Sequence, residues 1–265
     1  MITYIISNLL IISALTFKDN INIITKIFMN NGKGYKIYDI ILSSFIAVLI
    51  ISNIVTLKVF VINLPIINKE LVFDGGALIF PLSYVFADIF TEVYGYKKSR
   101  KIIWLGFIFL IIYNILLYIT ILLPPESSWN SSIGQENFKK VFNFSYRIAI
   151  AGIVGYFLGE FINSYVLAKM KILSKGKFLL LRIIVSTIFG QAADTTLFCF
   201  IAFYGIIDNN AMINYILTGY FYKVAVEIIM SPITIKVIKK TKQLENEDYY
   251  DYNTNFNPFL VSLKD

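Results

Sequence analysis

Residues 74–101 read DGGALIFPLSYVFADIFTEVYGYKKSRK, a stretch nearly as apolar as a lipid-facing helix. It nonetheless holds Asp74, Asp88 and Glu92, and it ends in Lys97, Lys98, Arg100 and Lys101. Tyr84, Asp88, Thr91, Glu92 and Gly95 recur at three- and four-residue steps, which puts them on one side of a helix. A polar stripe on a greasy helix, closed by a basic cluster, is the pattern of a membrane span that faces something other than lipid.

The rest of the chain has the same character. Hydrophobic residues make up 57% of the sequence and charged ones 15%, against about 25% charge in an ordinary soluble domain. The apolar residues fall in long runs, so the fold class is all-α, a polytopic helical membrane protein. The net charge of +7 sits in short loops between those runs and reads as membrane orientation, with no nucleic-acid partner expected. Cys199 is the single cysteine, which excludes an intrachain disulfide. The absence of histidine removes imidazole bases and histidine-ligated metals, so neither a metal nor a cofactor is expected.

Six segments are long enough for the roughly 20 residues a span needs: 39–63, 75–96, 102–123, 145–168, 179–206 and 213–238. Residues 1–17 are apolar but short, and read equally as a seventh helix, an interfacial segment or an uncleaved signal-like start. Three regions follow. Residues 1–38 form a hydrophobic segment with a basic linker, 39–240 a six-helix transport domain, and 241–265 an acidic tail expected to be disordered. Counting Lys and Arg beside alternate ends of the six spans gives 17 on one side and 4 on the other. The positive-inside rule then places both ends of the six-helix core in the cytoplasm of a multi-pass protein of the cell (inner) membrane.

Polar residues inside the spans carry the functional reading. Beside the stripe already described, 179–206 holds Thr187, Gln191, Asp194, Thr195 and Phe198 on one face. Glu160 and Asn163 lie beside Gly152, Gly155 and Gly159; Tyr220, Lys223, Glu227 and Ser231 share a side of the last span; Asn53 sits in the first. A charge at a helix centre costs about 3 kcal/mol, so Asp88, Glu160, Asp194, Lys223 and Glu227 facing lipid would cost on the order of 15 kcal/mol. They must face one another or a wet cavity near the midplane, where secondary transporters bind substrate. For any one residue the competing role is structural, a protonated or paired group holding helices together. Four carboxylates at one depth favour a site.

Blander readings cover the remaining signals. Gly155-x-x-x-Gly159 allows close helix packing. Phe80-Pro81 and Pro232 mark either a kink or a broken helix lining a cavity. Lys223 and Glu227, one turn apart, can neutralise each other. Arg147 snorkels at an interface. Asp88 and Asp194, each beside threonine in the second span of its half, hint at an inverted repeat.

Three stretches resemble the queuosine precursor transporters, a group of vitamin-uptake-type membrane proteins: FPLSYVFADIFTEVYGYKKSRKIIW (80–104), GEFINSYVLAKMK (159–171) and STIFGQAADTTLFCFIAF (186–203). Asn53 and YKVAVEIIMSPI (222–233) fit as well. The resemblance covers about residues 40–240. It departs at Ser99, where the family usually has alanine and little effect is expected, and at Gln191, where asparagine is commoner. It implies uptake of 7-deazaguanine bases: the cyano or aminomethyl precursors of queuosine, or queuine. A guanine-like edge presents adjacent N–H donors to a carboxylate, and its ring can stack on Tyr84, Phe198 or Tyr220. The expected substrate-binding set is Asn53, Tyr84, Asp88, Glu92, Glu160, Asn163, Gln191, Asp194, Thr195, Lys223 and Glu227, with Glu92 either relaying a proton or contacting the basic loop.

A stand-alone secondary transporter in the lipid bilayer, with a homo-oligomer left open, is the leading expectation. The alternative is a substrate-binding subunit of an energy-coupling-factor importer, which would need an ATPase partner; Ser43-x-x-x-Ala47 is its slight packing signal. An intramembrane enzyme using Asp88 and Glu92 as paired acids is the least favoured, so no catalytic residues are expected.

Overall fold

The fold is that of a computed structural model, which describes residues 34–64, 69–142, 146–206 and 208–260. Residues 1–17, with their open reading, lie outside the described residues. Residues 37–260 form one unit of eight α-helices and a short hairpin.

Helix α1 (Tyr38–Val55) is followed by strands β1 (Val59–Leu64) and β2 (Lys69–Asp74), paired antiparallel from Val59↔Asp74 to Leu64↔Lys69. The first expected span, 39–63, is therefore shorter than its hydropathy indicates. At 18 residues α1 is about 27 Å long, just enough for the hydrocarbon core, and the apolar Val59–Leu64 continues as strand.

The second expected span, 75–96, is not one helix. A 3₁₀ turn (Gly75–Leu78) leads into α2 (Phe80–Ile89), then a π-helical turn (Phe90–Tyr94), then Gly95 at φ 85°. Pro81 lies in the first turn of α2, where its missing N–H breaks no bond, so it starts a helix instead of kinking one. Gly95 adopts a backbone conformation that L side chains avoid, and this redirects the chain into α3 (Tyr96–Leu122).

Two short helices, α4 (Ser127–Ser132) and α5 (Gln135–Phe142), connect α3 to α6 (Tyr146–Leu173). Glu126 caps α4 by accepting from the Ser128 and Trp129 amides, and these bonds hold its carboxyl down to about 2. Helices α6 and α7 (Leu179–Phe203) pack along their length, and α8 (Asn209–Glu245) runs 37 residues. The Arg147 guanidinium donates to the Ile201 and Tyr204 carbonyls, closing the C-terminus of α7. Pro232 inside α8 cannot donate to the Ile228 carbonyl, and the neighbouring Ser231 hydroxyl donates to it instead at 2.7 Å.

Four described helices are long and apolar enough to cross a membrane: Tyr38–Val55, Tyr96–Leu122, Ala149–Leu173 and Leu179–Phe203. On α3, Ile108, Ile112, Ile115, Leu116 and Ile119 stay exposed, as lipid-facing residues should. Successive contacts close a ring, α1–α2–α8–α7–α6–α3 and back to α1.

The tail departs most from expectation. Residues 246–260 fold back over the basic ends of the helices. Asp251 is buried and accepts from the Tyr96 amide at 3.0 Å, Arg100 donates to the Asn255 and Asn257 carbonyls, and Trp104 donates to the Pro258 carbonyl. Carbonyls and aromatic rings of the tail answer the basic residues beneath it, so acidic composition does not mean disorder here.

Candidate functional site

The close approach of α6 and α7 builds one wall of the site. A Cβ at Gly159 would lie 2.7 Å from the Asp194 Cβ and 3.1 Å from the Gly190 carbonyl oxygen, and one at Gly155 would lie 2.6 Å from an Asp194 carboxylate oxygen. The small-residue pair thus packs helices closely and sets Asp194 in place. Gly152 has open space around its Cβ position. We expect Gly159→Ala to cost about 1–3 kcal/mol by pushing backbones apart, and Gly152→Ala to leave stability unchanged. Equal melting temperatures for the two variants would sink this account.

Inside the ring lies a cavity of about 400 Å³. Eight of the eleven expected site residues line it: Asn53 from α1, Tyr84 from α2, Glu160 and Asn163 from α6, Gln191, Asp194 and Thr195 from α7, and Lys223 from α8. Lys223 forms an ion pair with Asp194 and lies 5.8 Å from the centre of the Phe80 ring. The expected Lys223–Glu227 pairing is thus not the one made; Glu227 accepts from the Thr187 hydroxyl.

The other three expected residues lie elsewhere. Asp88 and Glu227 are buried but not among the lining residues, and Asp88 accepts from the Asn163 amide at 3.2 Å. Glu92, fully buried, lies in an ion cluster towards the basic helix ends. Both its oxygens accept from Arg182, Lys242 donates to Oε1 at 2.6 Å, and the Lys171 ammonium lies 3.6 Å away. Glu92 is thus in contact with basic residues of α6, α7 and α8. Asp88 and Glu92 do not form an acid pair.

The Ser99 departure is not inert. It is buried, and the hydroxyls of Thr91, Ser99 and Ser164 lie 2.8 to 3.0 Å from one another. Tyr220 is not among the lining residues, whereas Tyr156, Tyr215 and Tyr222 are. Tyr156 was legible: it stands four and seven residues before Glu160 and Asn163, on the same helix face.

Among the described residues, seven buried side-chain polar atoms have no hydrogen-bond partner: Asp88 Oδ2, Tyr156 Oη, Glu160 Oε2, Asn163 Oδ1, Gln191 Oε1, Thr195 Oγ1 and Glu227 Oε2. Five belong to residues that line the cavity. Folded proteins leave few such groups, and here they gather in one place. Glu160, Asn163 and Gln191 contribute three acceptors, while Asp194 is already engaged by Lys223. The aromatic side chains Phe80, Tyr84, Tyr156 and Phe198 also line the cavity. Such a surface suits a flat molecule with several N–H donors.

Residues 74–237 match the family described as "Putative vitamin uptake transporter". The chain is 28% identical over 158 residues to the "Probable queuosine precursor transporter" of Bacillus subtilis (strain 168), spanning 59% of this chain and 68% of that protein. It is 26% identical over 179 residues to the "Queuosine precursor transporter" of Escherichia coli (strain K12), spanning 66% and 77%. With the "Probable queuosine precursor transporter" of Haemophilus influenzae (strain ATCC 51907 / DSM 11121 / KW20 / Rd) it shares 29% over 158 residues, spanning 58% and 63%. No solved structure matches. With more than half its length matched and several apolar helices forming the ring, the chain is a multi-pass membrane transporter and belongs to the "Putative vitamin uptake transporter" family.

Proposed function

We propose that this transporter imports 7-deazaguanine compounds, the precursors of queuosine or queuine itself, as a secondary transporter with its basic helix ends in the cytoplasm. The observation that carries the reading is the set of unpartnered acceptors on Glu160, Asn163 and Gln191 at the cavity. A guanine-like base offers a ring N–H and an adjacent amino group along one edge, which one carboxylate can accept together. The amide oxygens of Asn163 and Gln191 can take further N–H groups, and the aromatic lining can stack the ring. A volume of about 400 Å³ falls in the range of roughly 300–1,000 Å³ typical of small-ligand sites. The names of the relatives point the same way.

The test is uptake of labelled cyano and aminomethyl precursors and queuine into vesicles holding only this protein, with and without a proton gradient. Saturable uptake of one of them, competed by unlabelled base, is the expected result. Uptake that appears only when an ATPase module is added would move the assignment to a subunit of a larger importer. No uptake in either setting would remove the substrate assignment.

A further inference from the structure

We infer that the Glu92 ion cluster is an inner gate of the transporter and that residues 246–260 are its latch, a strap holding the cavity shut towards the basic face. The inference rests on the transport reading and its orientation, and assigns the opening and closing of the site to residues outside it.

Position separates the two. Lining residues come from one half of the ring: 49–56 of α1, 76–84, 152–163 of α6, 191–199 of α7 and 215–223 of α8. The cluster, with Glu92, Lys171, Arg182 and Lys242, occupies the other half. Along α6, Asn163 and Lys171 are eight residues apart, or about 12 Å; along α7, Arg182 and Gln191 are separated by about 13 Å. The cavity therefore has its floor well short of the basic face.

The floor itself is polar. Asp88 and Glu227 each carry an unpartnered oxygen there; Thr91, Ser164 and Thr187 follow the lining residues of their helices towards the cluster, and the Ser99 hydroxyl of α3 joins those of Thr91 and Ser164. A permanent seal is better made of apolar side chains, because buried polar groups without partners are costly. A run of polar groups from cavity to ion cluster, two of them with an unpartnered oxygen, is what a route that opens periodically requires. The backbone at Glu92 is also suited to bending: α-helix, π turn and a positive-φ glycine follow one another within residues 89–95.

The strap grips this hinge. The Tyr249 amide donates to the Val93 carbonyl at 3.0 Å, and Lys171 donates both to the Tyr249 carbonyl at 2.7 Å and to Asp248. Lys242 reaches Asp248 as well as Glu92, so gate and strap share two lysines. The Tyr249 ring fills the notch at Gly95, where an added Cβ would lie 2.3 Å from it. Burial tends to raise the Asp248 carboxyl, but hydrogen bonds from Lys171 and Lys242 outweigh this and hold it below the usual carboxylate range. Tyr252 and Phe259 remain exposed, so the strap is a surface element able to release without unfolding the ring. It also lies beyond the family match, which ends at residue 237.

The single cysteine supplies the test, because Cys199 lines the cavity. A membrane-impermeant thiosulfonate reagent is applied to oriented vesicles from either face, and modification of Cys199 is timed. In the intact protein, attack from the cytoplasmic face should be the slower. Truncation after Asn246, and separately Glu92→Gln, should speed cytoplasmic attack by about tenfold or more, as a shifted two-state population would, while slowing attack from outside. Asp251→Asn, which weakens the strap alone, takes the place of any variant that does not accumulate. Unchanged rates, or equal acceleration from both faces, would overturn the inference. Labelling needs no substrate, so this outcome is independent of whether the proposed bases are carried.

Discussion

Vesicles carrying Glu160→Gln are expected to take up the proposed base with kcat/KM lowered about 100-fold, at unchanged or slightly raised thermal stability. Glu160 is 4% exposed, lines the cavity, and its Oε2 has no partner among the described residues. Hydrogen bonds to a charged group contribute about 1.5–3 kcal/mol each. Glutamine keeps one acceptor but turns an N–H₂ towards a ligand edge that is itself made of donors, so at least one such bond is lost and a repulsion replaces it. A loss near 3 kcal/mol corresponds to roughly 100-fold. Replacing a buried carboxyl whose Oε2 no protein group satisfies should not destabilise the ring, which is the usual relation between a binding group and the fold that holds it. Asp194→Asn is the instructive contrast, because Asp194 is paired with Lys223 and packed against Gly155 and Gly159. That change should lower both uptake and melting temperature. Initial uptake rates and thermal melts of the two variants decide the matter; Glu160→Gln uptake within twofold of the unmodified protein would remove Glu160 from the site.

Much of this arrangement was legible in the sequence, and the failures share a cause. Hydropathy located the helices, and three- and four-residue spacing chose their polar faces correctly: eight expected residues do meet at the cavity. Periodicity fixes a face but not a depth. Asp88 and Glu227 share stripes with Tyr84 and Lys223, yet lie about one turn further on, beneath the lining, and Glu92 lies a turn beyond Asp88. Hydropathy also cannot distinguish helix from strand in a short run, so all of the strand Val59–Leu64 but its last residue falls within the expected span 39–63. The tail was misjudged on its acidic residues alone. Tyr249, Tyr250, Tyr252, Phe256 and Phe259 fall within eleven positions, an aromatic density unlike that of disordered segments, and Tyr96 and Lys169 pack against Phe256.

Arg182→Met should be the most destabilising single change in the cluster, lowering stability by about 3–5 kcal/mol. Arg182 is 1% exposed and is the only residue whose two terminal nitrogens reach both Glu92 oxygens among the described residues. Its loss leaves the fully buried Glu92 carboxylate with two lysines, of which Lys171 stands 3.6 Å away and is committed to the Glu92 and Tyr249 carbonyls and to Asp248. Lys242 at 2.6 Å keeps the cost from rising further. The double variant Arg182→Met with Glu92→Met removes donor and acceptor together, and should recover part of the loss, because two apolar groups need no compensation while Lys171 and Lys242 keep Asp248 as their counter-charge. Such non-additivity is the signature of a coupled pair, and it separates an ion cluster that holds the helix ends from a residue that merely fills space. Thermal melts of both single variants and the double variant give the answer: losses that simply add would show that Arg182 and Glu92 contribute independently, and a single Arg182→Met loss below about 1 kcal/mol would place the pair with exposed ion pairs of little worth.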